Sequence, residues 1–179
     1  MRMLVIMVAL VIHIQAIAQK YISKSATITF FSEAPIENIK ATNKKVSSIL
    51  DLSTGEIVFS VPIRDFEFRK SLMKQHFNEN YLDSELYPKS TFKGKISGFG
   101  TSDGVYNSVA VGELSIHGIT QNIEVVGEVI VKPDEIALEA KFPVLLKDYN
   151  IKIPKILFSN IAESVEVSIE FIYRPYASN

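Results

Sequence analysis

The side chains with the clearest potential for chemistry are three histidines, His13, His76 and His117. A zinc site needs three or four ligands at close spacing, and no H-x-H or H-E-x-x-H pattern brings these rings together. We therefore predict no metal site. His117 stands at a predicted strand end before Gly118, where we expect it to bond the backbone of its turn. For His76, packing, a polar contact at a ligand entrance and metal ligation all stay open.

A second group of charged residues surrounds two aromatic rings, because Arg64, Asp65 and Arg69 flank Phe66 and Phe68. Arginine suits phosphate and quinone oxygens, so these residues could form a polar rim at the mouth of a binding site. The alternative is a local ion pair at the end of a strand, which contributes little to stability on a surface.

We find no support for an enzyme in the sequence, and we predict no serine triad, P-loop or dinucleotide-binding fingerprint. An acid–base pair stays open, because distance along the chain does not give distance across a fold. The 179 residues carry a formal net charge of −1 and no polybasic run. This balance argues against nucleic acid or an anionic membrane surface as the main partner.

The N-terminus has the pattern of a secretory signal peptide. Arg2 precedes an apolar run that is too short to span a membrane, and Ala16-Ile17-Ala18 supplies the small residues of a cleavage site. We predict a cleaved leader over residues 1–18, a single domain over residues 19–179 and no stable membrane span after cleavage. A retained membrane anchor is the alternative. The predicted location is secreted, with the periplasm favoured.

Alternation of apolar and polar residues with a period of two predicts strands. The clearest runs are Ile123–Val131, Glu135–Leu146 and Ser164–Tyr173. Further strands are predicted near Ala26–Phe31, Lys44–Leu50, Glu56–Ile63, Thr91–Phe99 and Val105–His117. Glycine- and proline-containing turns between these runs favour antiparallel neighbours. About eight strands with one apolar face each fit a closed barrel or a sandwich.

Two interruptions of the alternation carry predictions of their own. The apolar parity changes between Val111 and Leu114, which predicts a β-bulge and a bend at Gly112–Glu113. From Phe68 to Tyr81 the spacing becomes helical, and the later Pro88 prevents a helix from continuing. We predict that this short helix and the aromatic loop after it close one end of a barrel.

Three stretches of the chain carry a resemblance to a known family. They are His76-Phe77 with Asn80-Tyr81-Leu82-Asp83, Tyr87-Pro88 and Thr91-Phe92-Lys93-Gly94; Gly112-Glu113-Leu114-Ser115-Ile116-His117-Gly118-Ile119-Thr120; and Asp148-Tyr149-Asn150-Ile151-Lys152-Ile153-Pro154. In order and spacing they resemble the YceI-like family of secreted, lipocalin-like proteins. The resemblance extends from about Tyr21 to Arg174. One departure is Asn78, which stands where the family commonly has an arginine.

The resemblance implies an all-β fold, an eight-stranded antiparallel, lipocalin-like barrel with a lengthwise apolar cavity. In some family members that cavity holds a polyisoprenoid or an isoprenoid quinone. The implied ligand-binding residues are Ile28, Phe30, Phe59, Val61, Phe66, Phe68, Met73, His76, Phe77, Phe92, Ile96 and Phe142. The polar rim predicted from the residues themselves is Arg64, Asp65 and Arg69. Without the resemblance, the same inward side chains favour a packed core, because a barrel of this size holds either side chains or one ligand.

We therefore expect a secreted binding or carrier protein that holds an apolar isoprenoid-like lipid, with no catalytic activity and no cofactor. One alternative is a ligand-free structural or stress-related interaction protein whose barrel core is packed. A second is a small enzyme that acts on a lipid within the barrel, which a polar pair deep in the cavity with shifted pKa values would support. A homodimer is left open.

Overall fold

The computed structural model describes residues 20–33, 38–153 and 162–176. The predicted leader lies outside these residues, as do Gln19 and the Pro154 of the third family stretch. Within the part of the chain that is described, no helix is both long enough and apolar enough to cross a membrane.

The described residues form ten strands and one short α-helix. The strands are β1 (Lys20–Ser32), β2 (Ile39–Asn43), β3 (Ser47–Asp51), β4 (Glu56–Pro62), β5 (Glu67–Phe68), β6 (Lys89–Ser97), β7 (Gly104–Ile116), β8 (Ile119–Lys132), β9 (Glu135–Leu145) and β10 (Ser164–Pro175). Helix α1 (Ser71–His76) continues into a π-helical turn at Phe77–Tyr81. Short 3-10 turns occupy Ile63–Asp65 and Leu146–Tyr149.

The sheet closes on itself, because β1 pairs with β10 over most of its length. On the other side of β1 lie β2 and β3, which act as one interrupted strand, and β4 with β5 forms the next. The described strands thus occupy eight positions around a barrel, and every pairing is antiparallel. The predicted barrel is confirmed, and the sandwich alternative is wrong.

The predicted alternation sets the core of the barrel. On β10, Ile169, Phe171 and Tyr173 face inward and are buried, while Glu170 between the first two faces solvent. On β9 the same parity buries Ile136 and Leu138. Because the closed sheet has no exposed edge at this seam, the inward side chains of each strand meet those of the strands opposite.

The predicted β-bulge at Gly112–Glu113 is wrong. Strand β7 pairs with both β6 and β8 through these residues without a shift in register. Val111, which the parity argument placed inside, faces outward and is 52% exposed. The shift in register that does occur lies in β1, between Ser23 and Ser25.

Small inward side chains on β7 explain why the parity argument failed. Gly94 on β6 lies directly opposite Gly112, and a Cβ built on Gly112 would come within 2.5 Å of the Gly94 Cα and 2.9 Å of the Phe92 ring. The inward position therefore has room only for glycine. Val109 and Val111 face outward but are more apolar than the inward residues beside them, so the alternation assigned them to the wrong face.

The predicted helix over residues 68–81 is shorter in the structure. Residues Glu67–Phe68 form a brief strand paired with β2, and α1 begins only at Ser71. After His76 the backbone widens into the π-helical turn, in which the Leu82 amide donates to the Phe77 carbonyl at 2.9 Å. Such turns are rare and are often found at functional sites.

Candidate ligand cavity

A cavity of about 160 Å³ lies inside the barrel at the end covered by α1. Among the described residues its lining is apolar, apart from the side chains of Ser32, Tyr81 and Ser90. Ser32 accepts a hydrogen bond from the Ala162 amide at 3.3 Å. Burial raises the pKa of the Tyr81 hydroxyl, so that hydroxyl is neutral at physiological pH. We call this space the upper cavity.

Most of the ligand-binding residues predicted from the sequence line the upper cavity. These are Ile28, Phe30, Phe59, Val61, Phe66, Phe68, Met73, Phe77 and Phe142. The sequence missed further apolar lining residues, including Ile39, Ile63, Leu82, Leu114, Ile116, Val144, Leu146, Ile151, Val165, Val167 and Ile169. Several of these share strand faces with predicted residues and could have been found by extending the same alternation. Leu82 and Ile151 lie in irregular segments where no periodicity applies.

Four phenylalanine rings form the roof of the upper cavity. Phe77 is central, because its ring centroid lies 5.4 Å from Phe30, 5.4 Å from Phe66 and 5.0 Å from Phe68. Phe30 also lies 5.5 Å from Phe66 and 5.8 Å from Phe68. Rings at these separations gain about 1 kcal/mol per pair beyond their burial. The roof therefore holds itself together without hydrogen bonds between its rings.

The turn after α1 places Phe77 over the barrel. The Asn78 side-chain amide donates to the Lys74 carbonyl at 2.8 Å, and the Ser84 amide donates to the Asn78 carbonyl at 2.8 Å. The side-chain oxygen of Asn78 is buried and has no hydrogen-bond partner among the described residues. A buried acceptor without a donor is costly, so this part of the roof is less stable than its ring contacts alone suggest.

A second, lower cavity of about 70 Å³ lies further along the barrel. The predicted ligand-binding residues Phe92 and Ile96 line this space and not the upper cavity. Phe59, Phe142 and Ile169 line both spaces, so they separate them.

The end of the barrel away from α1 is filled by side chains. Tyr173 is 0% exposed, and Phe171, Leu50 and Ile136 are each 1% exposed. The Ser48 hydroxyl donates to the Val58 carbonyl at 3.0 Å, so Tyr173 must donate the 2.6 Å bond between the two hydroxyls. The described interior is therefore closed by packing at this end.

The predicted polar rim does not contact either cavity. Arg64 forms an ion pair with Glu85 at 3.0 Å and lies 3.4 Å from the Ser84 hydroxyl, and both charged side chains are exposed. This pair differs from the local ion pair considered from the sequence, because Glu85 lies 21 residues along the chain from Arg64. Asp65 and Arg69 are exposed on the same side of the barrel, near the roof.

His76 also lies outside both cavities. It precedes Phe77 by one residue, so when Phe77 points into the barrel the helix turns His76 towards solvent. Its Nδ1 lies 3.0 Å from the Asn80 side-chain oxygen. No cluster of three or more potential metal ligands occurs among the described residues.

His117 bonds the backbone, but its partner is not in its own turn. The ring Nδ1 donates to the Tyr149 carbonyl at 3.1 Å, which connects the β7–β8 hairpin to the 3-10 turn after β9. The Tyr87 ring packs on His117 with centroids 4.8 Å apart. Tyr87 also lies so close to Gly118 that an added Cβ would come within 2.4 Å of the ring. The Tyr-Pro and His-Gly stretches thus meet each other outside the cavity.

One serine pattern was missed in the sequence. Gly100, Ser102 and Gly104 match the G-x-S-x-G spacing of a nucleophile elbow. The structure places Ser102 in the exposed connection between β6 and β7, where its carbonyl accepts the Tyr106 hydroxyl at 2.8 Å. An elbow requires a strand followed by a helix. This geometry does not present Ser102 as a nucleophile.

A closed eight-stranded antiparallel barrel with an internal apolar cavity belongs to the lipocalin-like class of binding folds. The sequence also matches the model of the YceI-like domain over residues 20–173. The chain belongs to the YceI-like family. No curated protein sequence matches it.

Solved structures with the same fold are distant in sequence. A polyisoprenoid-binding domain from Saccharophagus degradans has a TM-score of 0.72 at 13% identity, over 87% of this chain and 98% of that one. Burkholderia cenocepacia BcnA has a TM-score of 0.69 at 17% identity, over 82% and 95%. The Campylobacter jejuni YCEI protein has a TM-score of 0.65 at 16% identity, over 82% and 90%. At these identities the likeness shows the fold alone.

Proposed function

We propose that this protein binds and carries an apolar, isoprenoid-like lipid, of the polyprenol or isoprenoid quinone type, inside its barrel. The observation that carries the proposal is the upper cavity, which is roofed, almost entirely apolar and closed by packing at its far end. Each methylene buried there contributes up to about 0.8 kcal/mol, so an apolar tail needs few polar contacts. The family and the Saccharophagus degradans polyisoprenoid-binding domain support this class of ligand.

The size of the upper cavity indicates how the ligand enters. At about 160 Å³ it is close to an engineered cavity of about 150 Å³ that holds one benzene molecule. A longer tail therefore displaces part of the roof. Met73 lies on α1 and Phe77 on the turn after it. Both side chains are only partly buried, and methionine adapts readily to a new neighbour. The ligand head group then stays at the mouth, beside residues 64–88.

The first test is native mass spectrometry of the purified protein, followed by organic extraction and lipid identification. We expect a stoichiometric excess of mass that extracts as an isoprenoid. A clean ligand-free mass that does not change after incubation with quinones and polyprenols would overturn the proposal.

A pair of roof variants tests where the lipid binds. Met73→Asp with Phe77→Asp places two carboxylates against the apolar cavity, where unpaired charge is costly. We expect at least a tenfold loss of affinity for a farnesol probe. The matched control is Leu72→Asp with His76→Asp, which adds the same charges to the exposed side of α1. Equal lipid binding by the two folded variants would contradict the proposed site.

The alternative is a ligand-free interaction protein, and one surface feature favours it. Val105, Val111 and Val126 on the outer face of β7 and β8 are 63%, 52% and 65% exposed. Exposed apolar side chains on a sheet face suit contact with another protein. A ligand-free mass together with pull-down of a partner that Val126→Lys abolishes would support this alternative.

We also propose that the chain is exported and that its leader is removed after Ala18. The signal-like pattern of residues 1–18 supports this. Expression of the full chain in a bacterium should give a periplasmic product whose mass starts at Gln19. Ala18→Asp should block the processing. An uncleaved cytoplasmic product from the parent sequence would contradict this proposal.

A further inference from the structure

The lower cavity arises from small residues at one level of the barrel. Ser108 on β7 lies opposite Gly127 on β8, and Gly127 lies opposite Ala140 on β9. All three line the lower cavity. A Cβ built on Gly127 would come within 2.5 Å of the Glu139 carbonyl oxygen and 2.9 Å of the Ala140 Cβ, so this position admits only glycine.

The lower cavity lies between two closed layers. Below it, Phe171 and Tyr173 pack edge to face at 6.2 Å and are almost fully buried. Above it, Phe59, Phe142 and Ile169 separate it from the upper cavity. The lower cavity is therefore closed towards the filled end of the barrel and borders the upper cavity at Phe59, Phe142 and Ile169.

The two rings of the separating layer are held very differently. Phe59 stacks on Phe92 at 5.2 Å and meets the edge of Phe171 at 5.4 Å, and all three are buried. Phe142 is only partly buried and has no ring contact among the described residues. Phe59 is thus held in place by neighbouring rings. The Phe142 ring is not, so the position of its side chain determines whether the two cavities connect.

We propose that Phe142 sets the length of the apolar chain that the barrel binds. The inference rests on the proposed function. With Phe142 present, the chain ends in the upper cavity. Without its ring, the tip of a longer chain enters the lower cavity. Phe142 is a specificity-determining residue, and the lower cavity is space that the ligand of the parent protein does not use.

The experiment measures the affinity for prenol, geraniol, farnesol and geranylgeraniol, which differ by one isoprene unit from each to the next. For the parent protein we expect affinity to rise along the series and then stop rising at one member. For Phe142→Ala we expect the affinity to keep rising for the next longer alcohol in the series. This alcohol should bind the variant about tenfold more tightly than it binds the parent.

Two further variants fill the lower cavity. Ala110 lines it, so Ala110→Leu occupies space that the parent's ligand does not use. Ala110→Leu alone should leave the parent's length profile unchanged, and the double variant with Phe142→Ala should return to that profile. Ala110→Leu keeps Phe142 in place, so it tests the proposal even if Phe142→Ala does not fold.

The outcomes separate this inference from the proposed function. Binding with the same length profile in the parent and in Phe142→Ala would overturn the inference alone. So would weaker binding of long probes by Ala110→Leu, because the chain would then already pass Phe142 in the parent. If the parent bound none of the alcohols, the proposed function would fail and this inference with it.

Discussion

At the scale of single residues, Tyr173 shows how a buried hydroxyl makes stability depend on pH. Burial raises the pKa of Tyr173 far above its ordinary value of 10.0, and the hydrogen bond to Ser48 opposes this shift only in part. The neutral hydroxyl therefore contributes stability in full below about pH 10, and that contribution is lost as the pH rises above this value.

Replacing Tyr173 tests this dependence. Tyr173→Phe removes the donor to Ser48 and should lower the free energy of unfolding by about 1 kcal/mol at neutral pH. Above about pH 10, its stability should fall less steeply than that of the parent in urea titrations. Tyr106→Phe is the matched control, because it loses only an exposed bond to the Ser102 carbonyl. The same alkaline slope in Tyr173→Phe and in the parent would contradict the argument.

The sequence predicted which residues face into the barrel better than it predicted their level along the barrel axis. Alternation placed Phe59, Phe92 and Phe142 on inward faces, and each does point into the barrel. It did not indicate that Phe92 lines the lower cavity or that Phe142 separates the two spaces. The level of a cavity along a barrel depends on which side chains from distant strands meet there, and the sequence of one strand does not contain that information.

At the scale of elements, Gly94 on β6 and Gly112 on β7 allow the two strands and the Phe92 ring to pack closely. Gly112→Ala would place a Cβ 2.5 Å from both the Gly94 Cα and the Lys93 carbonyl oxygen. Because the crowded atoms are backbone, the strands must move apart. We expect a loss of about 1–3 kcal/mol in the free energy of unfolding, measured by denaturant titration.

Gly104→Ala provides the control for this prediction. Its nearest new neighbour would be the Tyr106 ring at 3.5 Å, an ordinary contact. It lies on the same strand, so both variants should have the same effect on the unfolded chain. Equal stability of the two alanine variants would show that the Gly94–Gly112 contact does not limit the spacing of β6 and β7.

The long strands were predictable, whereas the interruptions were only partly so. Strands β8 to β10 alternate regularly because one face meets the core and the other meets water. The break between β2 and β3 instead depends on Asn43, whose fully buried amide donates to the Pro62 carbonyl at 2.7 Å and accepts the Lys45 amide at 2.7 Å. The bond to Pro62 joins residues 19 apart, and such a bond leaves no periodic signal in the sequence.

At the scale of the whole molecule, the two ends of the described barrel are adjacent. The Tyr176 amide donates to the Lys20 carbonyl at 2.7 Å, and Tyr21 lies opposite Pro175. A circular permutant that joins these ends with a short linker and opens the chain between Thr101 and Ser102 should therefore fold. The new ends lie in an exposed connection, where breaks are tolerated.

The first permutant also shows whether the barrel can form independently of ligand binding under the roof. It leaves α1 and the upper cavity untouched, so its affinity for a farnesol probe should stay within about twofold of the parent's. A second permutant opened between Glu85 and Leu86, in the exposed segment after the roof, should keep the barrel spectrum by circular dichroism and bind the probe more weakly. Weaker binding by the first permutant alone would contradict the placement of the ligand under the roof.

The pairing of β1 with β10 has a further consequence for the order in which the protein folds. Ile28 meets Ile169 across this seam, so the barrel closes only through contacts between the first and last described strands. Contacts of such long separation form slowly, because the entropy of the intervening chain opposes them. During synthesis the earlier strands have to wait for β10 before the barrel can close. For a chain whose export we propose, slow closure would favour passage through a translocation channel before the barrel forms.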